Sequence, residues 1–288
     1  MTERPEGMEQ SAAWPAEVTD TPAVSEETTM DVPTYVYALG RVEPRFPSLE
    51  LEKEFAQATG RAEELAGLTD GEALQSVLSE RANRYLVRRL CWVFTIEGLE
   101  TYILQPHDPA DFDLLVEAVR PAPRPTDVDV VIGLRGPIAP PEVCNGLMIP
   151  IVGFEQLYSF DVNSLIESLE RPDDVEEDRW ETVSEELFYR IIQIADNAGA
   201  TDEHRALNYL AVRDPLIYER AAKCFGENYR LSGVEARPSR LSGTRRIVDV
   251  VFSFTHRETG VADKYFVRVD VSGEFPFLVT VLSPYYER

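Results

Sequence analysis

Only three histidines occur in the chain, His107, His204 and His256, and any mechanism that uses imidazole as general base or metal ligand must draw on them. They fall in different expected elements: a Pro-His-Asp-Pro loop, the first turn of a helix and the neighbourhood of a hairpin turn. Their ordinary reading is as polar surface or capping residues. Asp202-Glu203-His204 is the densest cluster, but consecutive helical residues point about 100° apart and do not converge on one metal. The helix macrodipole already explains acidic side chains at a helix start. A serine nucleophile needs a nearby histidine and usually a strained Gly-x-Ser-x-Gly turn, and Ser242-Gly243 has neither context. Gly133-Leu-Arg-Gly136 lacks both the Gly-Lys-Ser/Thr ending and the Gly-x-Gly-x-x-Gly spacing of phosphate loops, so it reads as a strand-terminating turn. Carboxylate pairs are too abundant here to be informative. Catalytic, cofactor-binding and metal-binding residues are therefore assigned as none, and the balance is against an enzyme. The aromatic residues offer a different chemistry. Tyr158, Phe160, Phe275, Phe277, Tyr285 and Tyr286 could line a peptide groove beside a sheet edge, although core positions are the plainer reading.

The composition limits the partners. With 28 basic and 51 acidic residues the formal charge is −23, a field that repels phosphate backbones and anionic lipid surfaces. Neither nucleic acid nor a membrane is expected as a partner, and Arg237, Arg240, Arg245 and Arg246 read as a solvated strand edge. No apolar run approaches the roughly 20 residues that cross a bilayer. Met1 to Gln10 is polar and acidic, unlike a secretory signal, so a cytoplasmic location is expected. Cys91, Cys144 and Cys224 are widely separated and odd in number, which argues against a disulfide framework and against a zinc site. They read as small core residues.

The elements that must position these groups divide into a tail and two halves. Residues 1–32 combine Pro, Ser, Thr, Glu and Ala with little apolar content beyond Trp14, the composition of a disordered acidic tail. In the first half, 33–172, a strand is expected from Thr34 and a helix from Ser48 to Thr59, ended by Gly60. A capping box, Thr69 with Glu72, opens a single long helix to about Leu90. A hairpin turns at Glu97-Gly98, Asp108-Pro109 opens a helix, and Val128 to Leu134 reads as a strand buried on both faces and stopped by Gly136 and Pro137. The segment from Asn145 to Phe160 is hard to assign, and Asp161 or Asn163 begins another helix. In the second half, 178–288, a capping box from Thr182 to Glu185 starts a helix that Asn197 and Gly199 end. Two more helices follow, one capped by Thr201 and one restarted at Asp214-Pro215. Four strands then form a helix-covered meander: Val234–Arg237, Ile247–Thr255, Tyr265–Val271 and Phe277–Leu282. The fold class is α+β: two helix-plus-antiparallel-sheet halves after a disordered N-terminal tail.

From Tyr35 to the terminus the chain resembles the C-terminal region of cyanobactin maturation proteases of the PatG/PatA type. The likeness is carried by Tyr35-Val-Tyr-Ala-Leu-Gly40, by the run from Ala195-Asp-Asn-Ala-Gly to Leu-Ala-Val-Arg213, and by Pro238-Ser-Arg-Leu-Ser-Gly243. Tyr265 to Val271, Phe275 to Val279 and Tyr285-Tyr286 belong to the same pattern. The resemblance implies a domain attached to subtilisin-like proteases that process ribosomally made peptides. The protease's Asp, His and Ser lie in a separate domain, and no position here matches them. Expected, then, is a non-catalytic accessory module in which no cofactor takes part and whose partner is a precursor peptide or a processing protease. Two alternatives stand beside it: an enzyme with an undescribed site around His204, and a structural subunit forming a homo-oligomer by pairing its sheet edge with its own copy.

Overall fold

Five strands in the first half close on themselves. In the computed structural model, which describes residues 34–61 and 69–286, these are β1 (Tyr35–Arg45), β2 (Cys91–Ile96), β3 (Leu99–Pro106), β4 (Asp127–Ile138) and β5 (Pro150–Asp161). The expected tail, 1–32, lies outside the described residues. The barrel runs β1-β2-β3-β5-β4 and back to β1, and β3 with β5 is its one parallel pair. With a helix, α4 (Phe112–Ala118), between β3 and β4, this is the Greek-key arrangement of OB barrels. Only antiparallel pairing was expected. A parallel pair joins strands far apart in sequence, and no local pattern marks it.

Alternation along the strands sends side chains to three separate cores. Val36, Ala38, Trp92, Phe94, Tyr102, Leu104, Val131, Val152 and Phe154 fill the barrel, together with residues from α1 (Leu49–Arg61), α2 (Asp70–Ser79), α3 (Arg84–Arg89) and α4. The opposite faces of β1 and β4, through Tyr37, Leu39, Val128, Val130 and Ile132, join a second core. It holds the helices α5 (Val162–Ser168), α6 (Glu177–Ile192), α7 (Asp202–Arg213) and α8 (Pro215–Gly226), and the inner face of a second sheet. That sheet is the expected meander, β6 (Tyr229–Pro238), β7 (Ile247–His256) and β8 (Ala262–Asp270), extended by β9 (Phe277–Leu278) and β10 (Ser283–Pro284) along β8. Each expected half thus holds its own sheet, and one apolar core runs across both.

The third core corrects the reading of the cysteines. Cys91 and Cys144 are disulfide-bonded, with Cα atoms 5.5 Å apart, and only Cys224 is a free buried thiol. The bond ties the β4–β5 loop to the start of β2, where Ala139, Leu147 and Ile149 cover Val93, Ile103 and Ile151. The barrel's outer β2–β3 face, the ligand face of OB barrels, is thereby sealed by its own loop.

Three local expectations also change. The helix from Thr69 is not continuous to Leu90: α2 ends at Ser79 and α3 starts at Arg84. Buried Asn83 donates from Nδ2 to Val77 O at 2.9 Å and to Glu80 Oε2 at 3.1 Å, satisfying a carbonyl that a continuing helix would have used. Replacing Asn83 by Ala should lower stability by about 1 kcal/mol in urea titrations, because Val77 O then keeps only its longer bond from Glu80 N at 3.4 Å. The capping box at Thr182 is not one. The helix already begins at Glu177, Thr182 donates from Oγ1 to Asp178 O inside it, and it ends at Ile192 rather than at Asn197. Gly133 and Gly136 do not end a strand, since β4 runs to Ile138; a Cβ at Gly133 would collide with Gly153 O, so the glycine lets β5 approach where the register shifts.

Candidate functional site

The run Ala195–Arg213, the longest stretch of the family pattern, folds into the joint between barrel and second sheet. Thr201 caps α7 by accepting from His204 N, as expected. Just before it, Gly199 sits at φ +69°, and a Cβ there would overlap Tyr37 O, so backbone packs directly on backbone. Tyr37 N donates to Gly199 O at 2.9 Å, and Tyr102 OH reaches Ala198 O at 2.8 Å from within the barrel. Burial pushes the Tyr102 phenol up to about 12. Buried Asn208 donates to Tyr37 O at 2.8 Å and pairs with Asn197.

Arg205, only 1% exposed, faces the other way. Its guanidinium donates to Val271 O at 2.8 Å, to Gly273 O, and to Glu274 O at 2.9 Å, and lies 5.3 Å from the Tyr35 ring centroid. Burial pulls it down to about 10. The segment 271–274 that it holds leads directly into β9. Sequence reasoning stopped one residue short, at His204, because nothing in the local sequence signals that three carbonyls far along the chain await the Arg205 guanidinium.

The expected chemical residues do not converge. Asp202 turns to Arg246 at 3.2 Å and to Arg205 at 3.8 Å. His204 is half-buried with Nδ1 unpartnered, facing Glu203 and Asp196. His107 lies 3.5 Å from Glu155 on the barrel, and His256 Nδ1 accepts from Glu258 N and Thr259 N as a turn cap. Ser242 Oγ donates to Ser239 O at 2.8 Å within the β6–β7 loop. Among the described residues no group of three or more His, Cys, Asp or Glu could hold a metal. Because burial holds the His204 imidazole below its ordinary 6.5, the unfolded chain takes up the proton first as pH falls. The stability contributed by the neutral ring is full above that value and is lost below it, towards the folded value. Denaturation midpoints taken from about pH 7.5 to about 5.5 should therefore fall less in His204→Asn than in the unsubstituted chain.

Elsewhere Ser184 Oγ, Asp214 Oδ2 and Glu274 Oε1 are buried without a partner, whereas the buried carboxylate of Asp129 is satisfied from within. Asp129 accepts from Val42 N at 2.7 Å, Ser159 Oγ at 2.6 Å and Arg120 at 3.2 Å, stitching β4 to β1 and β5. A shallow cleft of about 280 Å³ opens between the Glu97-Gly98 turn and α6, but Arg41 in it is committed to the carbonyls of Arg124 and Pro125.

What remains open is the outer edge of the second sheet. The candidate aromatics separate: Tyr158 and Phe160 pack against the shared core, and Tyr285 lies on Phe266 beneath Arg237. Phe275 and Phe277 stay exposed and continue through Val279 and Val281, at 47%, 49%, 39% and 65% exposure, while the residues between them turn inward. No charged residue occurs from Phe275 to Tyr286 in a chain of net charge −23. Beside this strip the β6–β7 loop carries the expected basic group: Arg245 pairs with buried Asp270 and lies 5.3 Å from the Phe277 ring centroid, and Arg240 is exposed without a partner.

Comparison with known proteins places this architecture. A solved structure described as "PatG Domain of Unknown Function" superposes with a TM-score of 0.70 at 20% identity, over 88% of this chain and 98% of its own, a likeness of fold. No curated protein matches the chain. The family model "PatG C-terminal" matches residues 174–285, and the model "PatG Domain" matches residues 35–219. The second match spans more than half of the chain and begins at the barrel's first strand, so the chain belongs to the PatG domain family.

Proposed function

We propose that this domain is a non-catalytic accessory module in the maturation of ribosomally made peptides, engaging a precursor peptide or a processing protease through its second sheet. The observation that supports this reading most is the exposed, uncharged strip 275–286 at a sheet edge, a surface suited to adding an extended segment by main-chain hydrogen bonds. The cytoplasm is the proposed compartment. The Cys91–Cys144 bond is compatible with it because both cysteines are buried, beyond easy reach of thiol reductants. Isothermal titration of the purified chain with the precursor peptide and with the subtilisin-like protease of its own gene cluster tests the reading. Saturable binding to either is expected; no heat with both, at concentrations up to about 1 mM, overturns it.

A further inference from the structure

We infer that Asn145 is a self-modification site: its side-chain amide converts to aspartate and isoaspartate by attack of the Gly146 nitrogen, and the closed, disulfide-bonded β4–β5 loop holds that reaction back. The chemistry needs only water as co-reactant. The deprotonated main-chain nitrogen of Gly146 bonds to Asn145 Cγ, the Cγ–Nδ2 bond breaks, and the amide leaves as ammonia, giving a five-membered succinimide. Water then adds to one of the two ring carbonyls and opens the ring, leaving aspartate or its β-linked isomer. Glycine after asparagine is the favourable case, because no side chain shields the attacking nitrogen. Asn145 is the one asparagine of six that glycine follows, and both residues are exposed.

The closed loop withholds that nitrogen. Gly146 N donates to Pro141 O at 2.7 Å, so removing its proton also costs a hydrogen bond. Asn145 and Gly146 have φ angles of 45° and 89°, the two positive angles of a type I′ turn that Leu147 N closes on Cys144 O at 2.9 Å. The turn fixes the rotations that ring closure needs. Cys144 is itself tied to Cys91 on β2, and Ala139 N donates to Ile149 O at 2.9 Å across the base of the loop. Attack therefore waits for the loop to open, and its rate follows the population of the open loop. The two products differ in what they do next. Aspartate keeps the turn, whereas isoaspartate carries the main chain through its side chain and adds a methylene to a two-residue loop that has no room for one. A chain with isoaspartate at 145 leaves Val93, Ile103 and Ile151 uncovered, so the opening is one-way.

Peptide mapping by mass spectrometry tests this on the intact chain, kept at neutral pH as the disulfide-bonded form, with a strong reductant, and in concentrated urea. Exchange of the amide for an acid raises the peptide mass, and electron-transfer fragmentation separates isoaspartate from aspartate. Asn145 should convert about tenfold or more slowly in the disulfide-bonded chain than in the reduced one, whose rate should approach that in urea. Asn163, exposed in the first turn of α5 and followed by serine, reports opening of the whole chain; it should convert in urea alone. Equal rates at Asn145 in the disulfide-bonded and reduced chains, or in the disulfide-bonded and urea-treated chains, overturn the inference. So does conversion of Asn163 alongside Asn145 in the reduced chain, since the gate would then be global unfolding and not the loop. Chain enriched in isoaspartate should bind more apolar dye with its strand signal intact; unchanged dye binding would show that the loop closes again.

Discussion

Replacing Arg205 by Met is expected to lower the free energy of unfolding by about 3–5 kcal/mol, roughly 1–2 kcal/mol for each of the three buried carbonyls left without its donor. Arg205 is fully enclosed, and its three donated hydrogen bonds go to Val271, Gly273 and Glu274 carbonyls. Methionine matches much of the side chain's volume, so the loss reports the orphaned carbonyls and not a cavity. The effect should be local as well as global. Segment 271–274 connects β8 to the exposed strip, so amide exchange in Arg205→Met should accelerate most from 271 to 284, while the barrel strands β2 and β3 stay protected until global unfolding. Urea titration with exchange read by mass spectrometry checks both parts. A variant of unchanged stability would show that the second sheet does not depend on this anchor.

Cleaving the Cys91–Cys144 bond is expected to cost about 4 kcal/mol on the loop-entropy relation, because the bond joins residues 53 apart in sequence. The double variant Cys91→Ala/Cys144→Ala adds a second loss, since both side chains are part of the small core that holds the β4–β5 loop on the barrel. Denaturant midpoints with and without a strong reductant give the first effect, and comparison with the double variant separates the second. In the reduced chain the loop should open before the barrel does, and dye binding to Val93 and Ile103 should rise ahead of the loss of strand signal. Coincident transitions would mean that apolar contacts alone hold the loop.

Much of the architecture could be read from local chemistry. Thr69, Asp108, Asp161, Thr201 and Asp214 each cap the helix assigned to them, because an N-cap depends on a side chain and the two or three backbone N–H groups after it. Glu97 and Gly98 adopt the positive φ angles of a tight hairpin, again within a few residues. The failures share the opposite property. Asn83 interrupts a helix whose periodicity continues past it, and its reason is a buried amide bond that periodicity does not register. The β3–β5 pairing and the disulfide join residues about fifty apart, and neither leaves a local trace. The proposed surface was half legible. Phe275 and Phe277 stood out as aromatics, whereas Val279 and Val281 read as ordinary strand residues until the sheet order showed which of their faces meets solvent. Arg205 shows the same limit, since only the tertiary fold brings 271–274 to it.

Hydrogen exchange on the purified chain, with and without the precursor peptide of its own gene cluster, is the most direct test of the proposed role. Slowed exchange confined to 277–284 and the adjoining β8, with the disulfide-covered β2–β3 face unchanged, is expected on binding. Exchange that is identical in both states, or protection that appears only at the barrel, would contradict a peptide-binding role for the second sheet.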